Sequence, residues 1–213
     1  MRIFDRPKII LLSMTSDPLR IMWVGARNCF MGDEVKKMME KYNENNAKKL
    51  VAKIIKMQHD SVLEHCIFTF AIENVSRSLM AQLTRHRHCT FHCQSQHYQN
   101  YSDFTYKELE MYPSDDMKKQ YYQTMDMINA LYKKLISEGC PHYIAREVLP
   151  NAAGVKIIMT CNLREARHIL ELRLPKNNTP EIIEVSKEIY NIIYKICPEF
   201  VEDLGEKHGI IKL

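Results

Sequence analysis

Residues 65–72, HCIFTFAI, place Cys66, Phe68, Phe70 and Ile72 on one side of an extended chain and His65, Ile67, Thr69 and Ala71 on the other. Side chains alternate between faces along a strand, so apolar residues on both sides predict a central strand. Ser76 then stands where it can cap a helix carrying Leu79, Met80 and Leu83, which runs into Arg85. Upstream, the β-branched and aliphatic residues 8–15 read as a second strand, ended by Ser16-Asp17-Pro18, a helix-start signal. Helices over about 18–29 and 33–57 follow, the second with a break near 43–46. Downstream, 115–138 has helical periodicity and 155–161 (VKIIMTC) is strand-like. Asn162, three residues before Glu165, opens a helix to about Leu174, which Pro175 stops. Pro180 begins a last helix through about Ile196, with Ile182, Ile183, Val185, Ile189, Ile192 and Ile193 as its apolar face. Few strands, irregularly interspersed with helices, predict an α+β fold with a central antiparallel sheet flanked by helices. With only 6 Gly and 8 Pro there is little material for linkers, and residues 1–213 read as a single domain.

Composition narrows the function classes. The net charge of +4 suits anionic small ligands and is too small for a nucleic-acid polymer surface. No segment approaches the ~20 apolar residues of a membrane span. Seven cysteines, an odd number without a repeating spacing, fit free thiols in a reducing cytoplasm, and no signal peptide is visible.

The chemistry concentrates in residues 85–98, RHRHCTFHCQSQHY. The segment has no sustained period and reads as a functional loop. Arg85 and Arg87 offer planar forks of donors for phosphates and anionic rings. Thr90, Ser95 and Tyr98 add neutral hydroxyls, and Phe91 and Tyr98 offer ring faces. A Cys/His metal-binding protein is the alternative reading, since Cys89 and Cys93 lie among His86, His88, His92 and His97. The segment lacks the second spaced ligand pair of zinc families, so no metal is expected.

This segment resembles the flavin-dependent thymidylate synthases, which carry RHR, two residues, Ser, four residues, Ser, one residue, Arg-Tyr. Here Arg85, His86, Arg87, Thr90, Ser95, His97 and Tyr98 occupy those places. Residues 59–65 (HDSVLEH) are similar to the family's HxSPxEH element. Residues 145–150 (AREVLP) and 162–173, from Asn162-Leu163-Arg164 to Leu172-Arg173, match its later elements in order. The resemblance covers about residues 17–198.

It implies a flavin-dependent thymidylate synthase-like fold and the reductive methylation of dUMP to dTMP. FAD is the implied cofactor, NADPH the reductant and 5,10-methylenetetrahydrofolate the one-carbon donor. It implies FAD contacts from His59, Ser61, Arg85, His86, Arg87, Cys93, Asn162, Leu163, Arg164 and His168. It implies dUMP contacts from Gln82, Leu83, Thr84, Arg85, Cys93, Gln94, Ser95, Gln96, His97, Arg146 and Arg173, with Arg173 as the catalytic, ring-activating residue. A homotetramer is also implied. It agrees with a helical wheel on which Arg164 and Arg173, nine residues apart, point to nearly opposite sides. The chain departs from the family pattern at Thr90, at His97 (Arg in the family), at Gly154-Val155 and at Asn178-Thr179-Pro180-Glu181. These departures keep open a different pyrimidine nucleotide or one-carbon outcome.

Overall fold

In the computed structural model, residues 3–4 and 6–210 are described. In chain order the elements are β1 (Ile3–Phe4), β2 (Lys8–Met14), α1 (Pro18–Asn28), α2 (Val35–Glu40), α3 (Glu44–Lys56), a 3₁₀ turn (Asp60–His65), β3 (Ile67–Ser76) and α4 (Arg77–Leu83). Then come β4 (Thr90–Cys93), β5 (Tyr106–Lys107), α5 (Asp115–Ser137), α6 (His142–Ala145), β6 (Gly154–Asn162), α7 (Leu163–Arg173), α8 (Pro180–Ile196) and α9 (Glu202–His208). The main sheet has the order β2-β3-β6-β4, so β3 is interior, as its sequence predicts. β3 and β6 run antiparallel: Arg77 N–H donates to Ala153 O at one end, and Leu163 N–H to Cys66 O at the other. The fold is α+β with an antiparallel sheet. β1 and β5 form a separate parallel pair, Ile3 opposite Tyr106 and Phe4 opposite Lys107.

Local chemistry sets the element ends. Asp17 accepts the Arg20 N–H and Pro18 occupies the first turn of α1. The break expected near 43–46 separates α2 from α3, where the Asn43 side chain accepts the Asn46 N–H at 3.1 Å. Ser76 caps α4 through the Leu79 N–H, and Asn162 caps α7 through the Glu165 N–H. β4 lies inside the stretch expected to be loop. It has four residues and alternates exposed with half-buried positions, and its ladder is completed by a strand more than sixty residues away.

The chain contributes to two compact units. One takes its described residues from Met1–Lys8, Ile72–Arg85 and Phe91–Ile158, the other from Ile9–Ala71, His86–Thr90 and Met159–Leu213. In the first, α5 lays Met125 and Tyr132 against Tyr101, Phe104, Tyr106, Ala145 and Ala153. In the second, Phe68 and Phe70 are fully buried on one face of β3, as is Cys66 just before the strand, and the two rings stack at 5.9 Å. The opposite face is less covered than the sequence predicts, since Ile67 is 40% exposed. The α8 stripe Ile182, Val185, Ile189 and Ile193 is buried in the same unit.

Candidate active site

His86 follows α4 and is 4% exposed. Three side chains of α7 surround its ring. Arg173 Nε donates to His86 Nε2 at 3.0 Å, Glu165 Oε1 lies 3.4 Å from Nδ1, and the His168 ring stands edge-on at 5.9 Å. Asn162 fixes where α7 begins and thereby its phase. Glu165 falls in the first turn, where the helix dipole favours negative charge, and is itself 6% exposed. Burial, reinforced by the charges of Arg173 and His168, pushes His86 down to about 4. The ring is neutral at physiological pH.

That shift links stability to acid. Between pH 6.5 and about 4 the unfolded chain takes up a proton that folded His86 refuses. The contribution is therefore fully present above pH 6.5 and is lost as pH falls through that window, by roughly 3 kcal/mol at most. Urea unfolding of the parent and His86→Gln across this range should show the two stability curves approaching each other as pH drops. Parallel curves would contradict it.

The other flavin-contact candidates of the second unit gather nearby. The turn that carries Ser61 packs against α7, and Arg164 donates to Glu64 Oε1 at 2.6 Å across that contact. His59, Ser61, Arg87, Arg164 and His168 are exposed. The Asn162 side chain serves its own helix cap. Leu163 is fully buried and gives its N–H to Cys66 O, so it anchors the positions of its neighbours. Arg85 and Cys93 belong to the first unit; Arg85 is exposed, and burial raises the half-buried Cys93 thiol.

Every dUMP-contact candidate except Arg173 lies in the first unit. Gln82, Leu83 and Thr84 end α4: Gln82 is half-buried, Leu83 is fully buried, and Thr84 Oγ1 donates to Met80 O. Gln94 N–H joins β6 by donating to Lys156 O, and Ser95 Oγ accepts the His97 N–H. His97 is exposed and stacks on Tyr143 at 5.1 Å with a 20° interplanar angle. Arg146 is exposed beside Glu147, 3.5 Å away.

Two residues that the sequence did not mark as functional stand out. One is Glu165, described above. The other is Arg77, whose Nη1 is buried, as is Gln96 Nε2, without a hydrogen-bond partner among the described residues. A cation in the first turn of α4 opposes the helix dipole, and that mismatch was the available signal for Arg77.

The sequence model of the family described as "Thymidylate synthase complementing protein" matches residues 10–199. A flavin-dependent thymidylate synthase of Geobacter sulfurreducens is 32% identical over 201 residues, 93% of this chain and 87% of its own length. The chain belongs to the flavin-dependent thymidylate synthase family. A second member, from Pyrococcus furiosus, is 34% identical over 184 residues, 84% of this chain and 75% of its own. The fold is that of the UMP/dUMP methylase PolB from Streptomyces cacaoi, solved bound with 5-Br dUMP. The TM-score is 0.84, with 20% identity and 97% of each chain covered.

Two departures from the family pattern have packing explanations. Gly154 is buried, and a Cβ there would sit 2.1 Å from Thr105 Oγ1 and 3.0 Å from the Phe4 ring. In the run beginning at Asn178, Asn178 Nδ2 donates to Leu172 O and Pro175 O, sealing the end of α7, while Pro180 opens α8. The Cys/His alternative has no geometric basis in the cysteines of residues 85–98. Among the described residues the group close enough to share a metal is His86, Glu165 and His168, whose ligand atoms lie within 4.8 Å of one another. No described helix is long and apolar enough to cross a membrane.

Proposed function

We propose that this chain is a flavin-dependent thymidylate synthase that converts dUMP to dTMP, drawing the carbon from 5,10-methylenetetrahydrofolate and the reducing equivalents from NADPH through FAD. Family membership supports the reaction class. The observation that carries the reading to this chain's own residues is the Arg173 guanidinium, bonded at 3.0 Å to a buried, neutral imidazole. A permanently charged group held in place stabilises negative charge developing on a uracil ring without reorganising.

The donor set fits a flavin dinucleotide. Exposed Arg87 offers a guanidinium to a pyrophosphate, as does Arg164 beside Glu64, and His59, Ser61 and His168 add further polar groups in the same unit. Those residues, with Arg85, His86, Cys93, Asn162 and Leu163, would hold FAD. Bound there, a reduced flavin would supply hydride chemistry for the methylation. Gln82, Thr84, Gln94, Ser95, Gln96, His97 and Arg146 would orient the nucleotide, with Arg85, Leu83 and Cys93 lining its site. The buried, unpartnered Gln96 Nε2 supports a polar ligand there. Chain segments alternate between the two units, which supports treating residues 1–213 as one functional domain. Exposed large apolar side chains, among them Leu12, Ile21 and Phe30, support assembly into a homotetramer, and the free cysteines support a cytoplasmic setting.

The test is product analysis by mass spectrometry after incubating the yellow, flavin-loaded protein with NADPH, methylenetetrahydrofolate and a panel of pyrimidine nucleotides. The expected product is dTMP from dUMP alone. Methylated UMP would redirect the substrate, and a colourless protein indifferent to FAD would sink the reading.

His97 offers a narrower check. As an imidazole lying flat on Tyr143 it gives the nucleotide a weaker donor than the family's arginine. His97→Arg should tighten dUMP binding several-fold, about 1 kcal/mol, measured by calorimetry. An unchanged or weaker dissociation constant would mean that His97 belongs to a reshaped pocket.

A further inference from the structure

We propose that Glu165 and His86 form a positioning relay behind Arg173, a buried carboxylate and a single imidazole tautomer that together hold the guanidinium in one orientation. The inference rests on the functional reading above and assigns two of its residues a role that the sequence pattern does not. Direction follows from donor chemistry. Arg173 Nε carries a hydrogen and can only donate, so the His86 Nε2 it approaches at 3.0 Å presents its lone pair. In a neutral ring the proton then sits on Nδ1, and Nδ1 faces Glu165 Oε1 at 3.4 Å. Protonating His86 would set two N–H groups against each other at Nε2, which agrees with its depressed basicity.

The relay is enclosed, with His86 at 4% and Glu165 at 6% exposure. A buried carboxylate is costly unless something requires it. Here its place on α7 puts it eight residues before Arg173, on the side that meets His86. His168, also on α7, is the other titratable group against the ring. A divalent metal on His86, Glu165 and His168 is the competing use of these atoms, and the adjacent guanidinium opposes it by like-charge repulsion.

The experiment reads the tautomer and the kinetics separately. Imidazole nitrogen NMR, with the His86 signals identified by their loss in His86→Gln, should show Nδ1 protonated and Nε2 bare in the parent holoenzyme. In Glu165→Ala, Arg173 still holds Nε2 as the acceptor, so the Nδ1-protonated tautomer should persist while the Nδ1 signal shifts on losing its acceptor. The kcat should fall about tenfold or more, up to about a hundredfold, with flavin content kept and KM for dUMP changed less than threefold. Glu165→Gln retains an acceptor and should fall between, so a poorly folded alanine variant leaves the question decidable. His86→Gln keeps one acceptor and one donor and should retain more kcat than His86→Leu.

A protonated Nε2 in the parent overturns the relay. So does a Glu165→Ala enzyme with parental Nδ1 signal and kcat, or a stoichiometric metal in the purified protein that Glu165→Ala loses. Normal dTMP synthesis without the tautomer signature defeats this inference alone. The signature in a protein that never methylates dUMP defeats the functional reading alone.

Discussion

Replacing Arg173 with alanine is expected to lower dTMP formation by roughly a hundred- to a thousandfold, the range for losing one preorganised electrostatic group, while the protein stays yellow. The guanidinium is the ring-activating group of the proposed mechanism, and most of the flavin-contact candidates lie elsewhere in its unit. Truncation also leaves His86 Nε2 without the donor now 3.0 Å away. It removes one of the charges that depress His86, so the imidazole should become easier to protonate in the variant. Arg173→Lys restores the charge without the Nε–H that bonds His86, and should recover only part of the rate. Steady-state dTMP formation together with flavin absorbance decides the matter. Turnover of the alanine variant at the parent rate would remove Arg173 from the chemistry.

Phe68→Ala should destabilise the fold by about 3–5 kcal/mol, the usual cost of emptying a fully buried aromatic position. Phe68 is 0% exposed on an interior strand and stacks on Phe70, so the cavity has little freedom to collapse. The companion change Ile67→Ala, on the more open face of β3, should cost about 1 kcal/mol or less, because that side chain already keeps 40% of its surface in water. Chemical denaturation of both variants checks the contrast. Equal losses would mean that the two faces of β3 are packed alike.

Alternation in residues 65–72 located β3, and the predicted start at Asn162 proved to be a working cap, because strand phase and capping are written in neighbouring residues. Arg85 and Arg87 were legible as chemistry because two closely spaced guanidiniums are seldom buried, whereas His86 between them is buried. What the residues offered as neighbours did not reveal was their division. His86 and Arg87 fall in one unit, while Arg85 and residues 93–97 fall in the other. β4 was read as loop because four residues carry little pattern when their hydrogen-bond partners come from far along the chain.

Short-range chemistry thus determined by itself the principal strands and helices, the place of their caps and the segment that carries the donors. Only the tertiary structure decided that Glu165, one more acidic residue in a helix's first turn, would be buried against His86, and that Arg173 would meet the other side of the same ring. The physical reason is that burial and hydrogen-bond partnership are properties of pairs of segments. Chain closure brings residue 86 to residues 165 and 173, and no periodicity within either segment encodes that meeting.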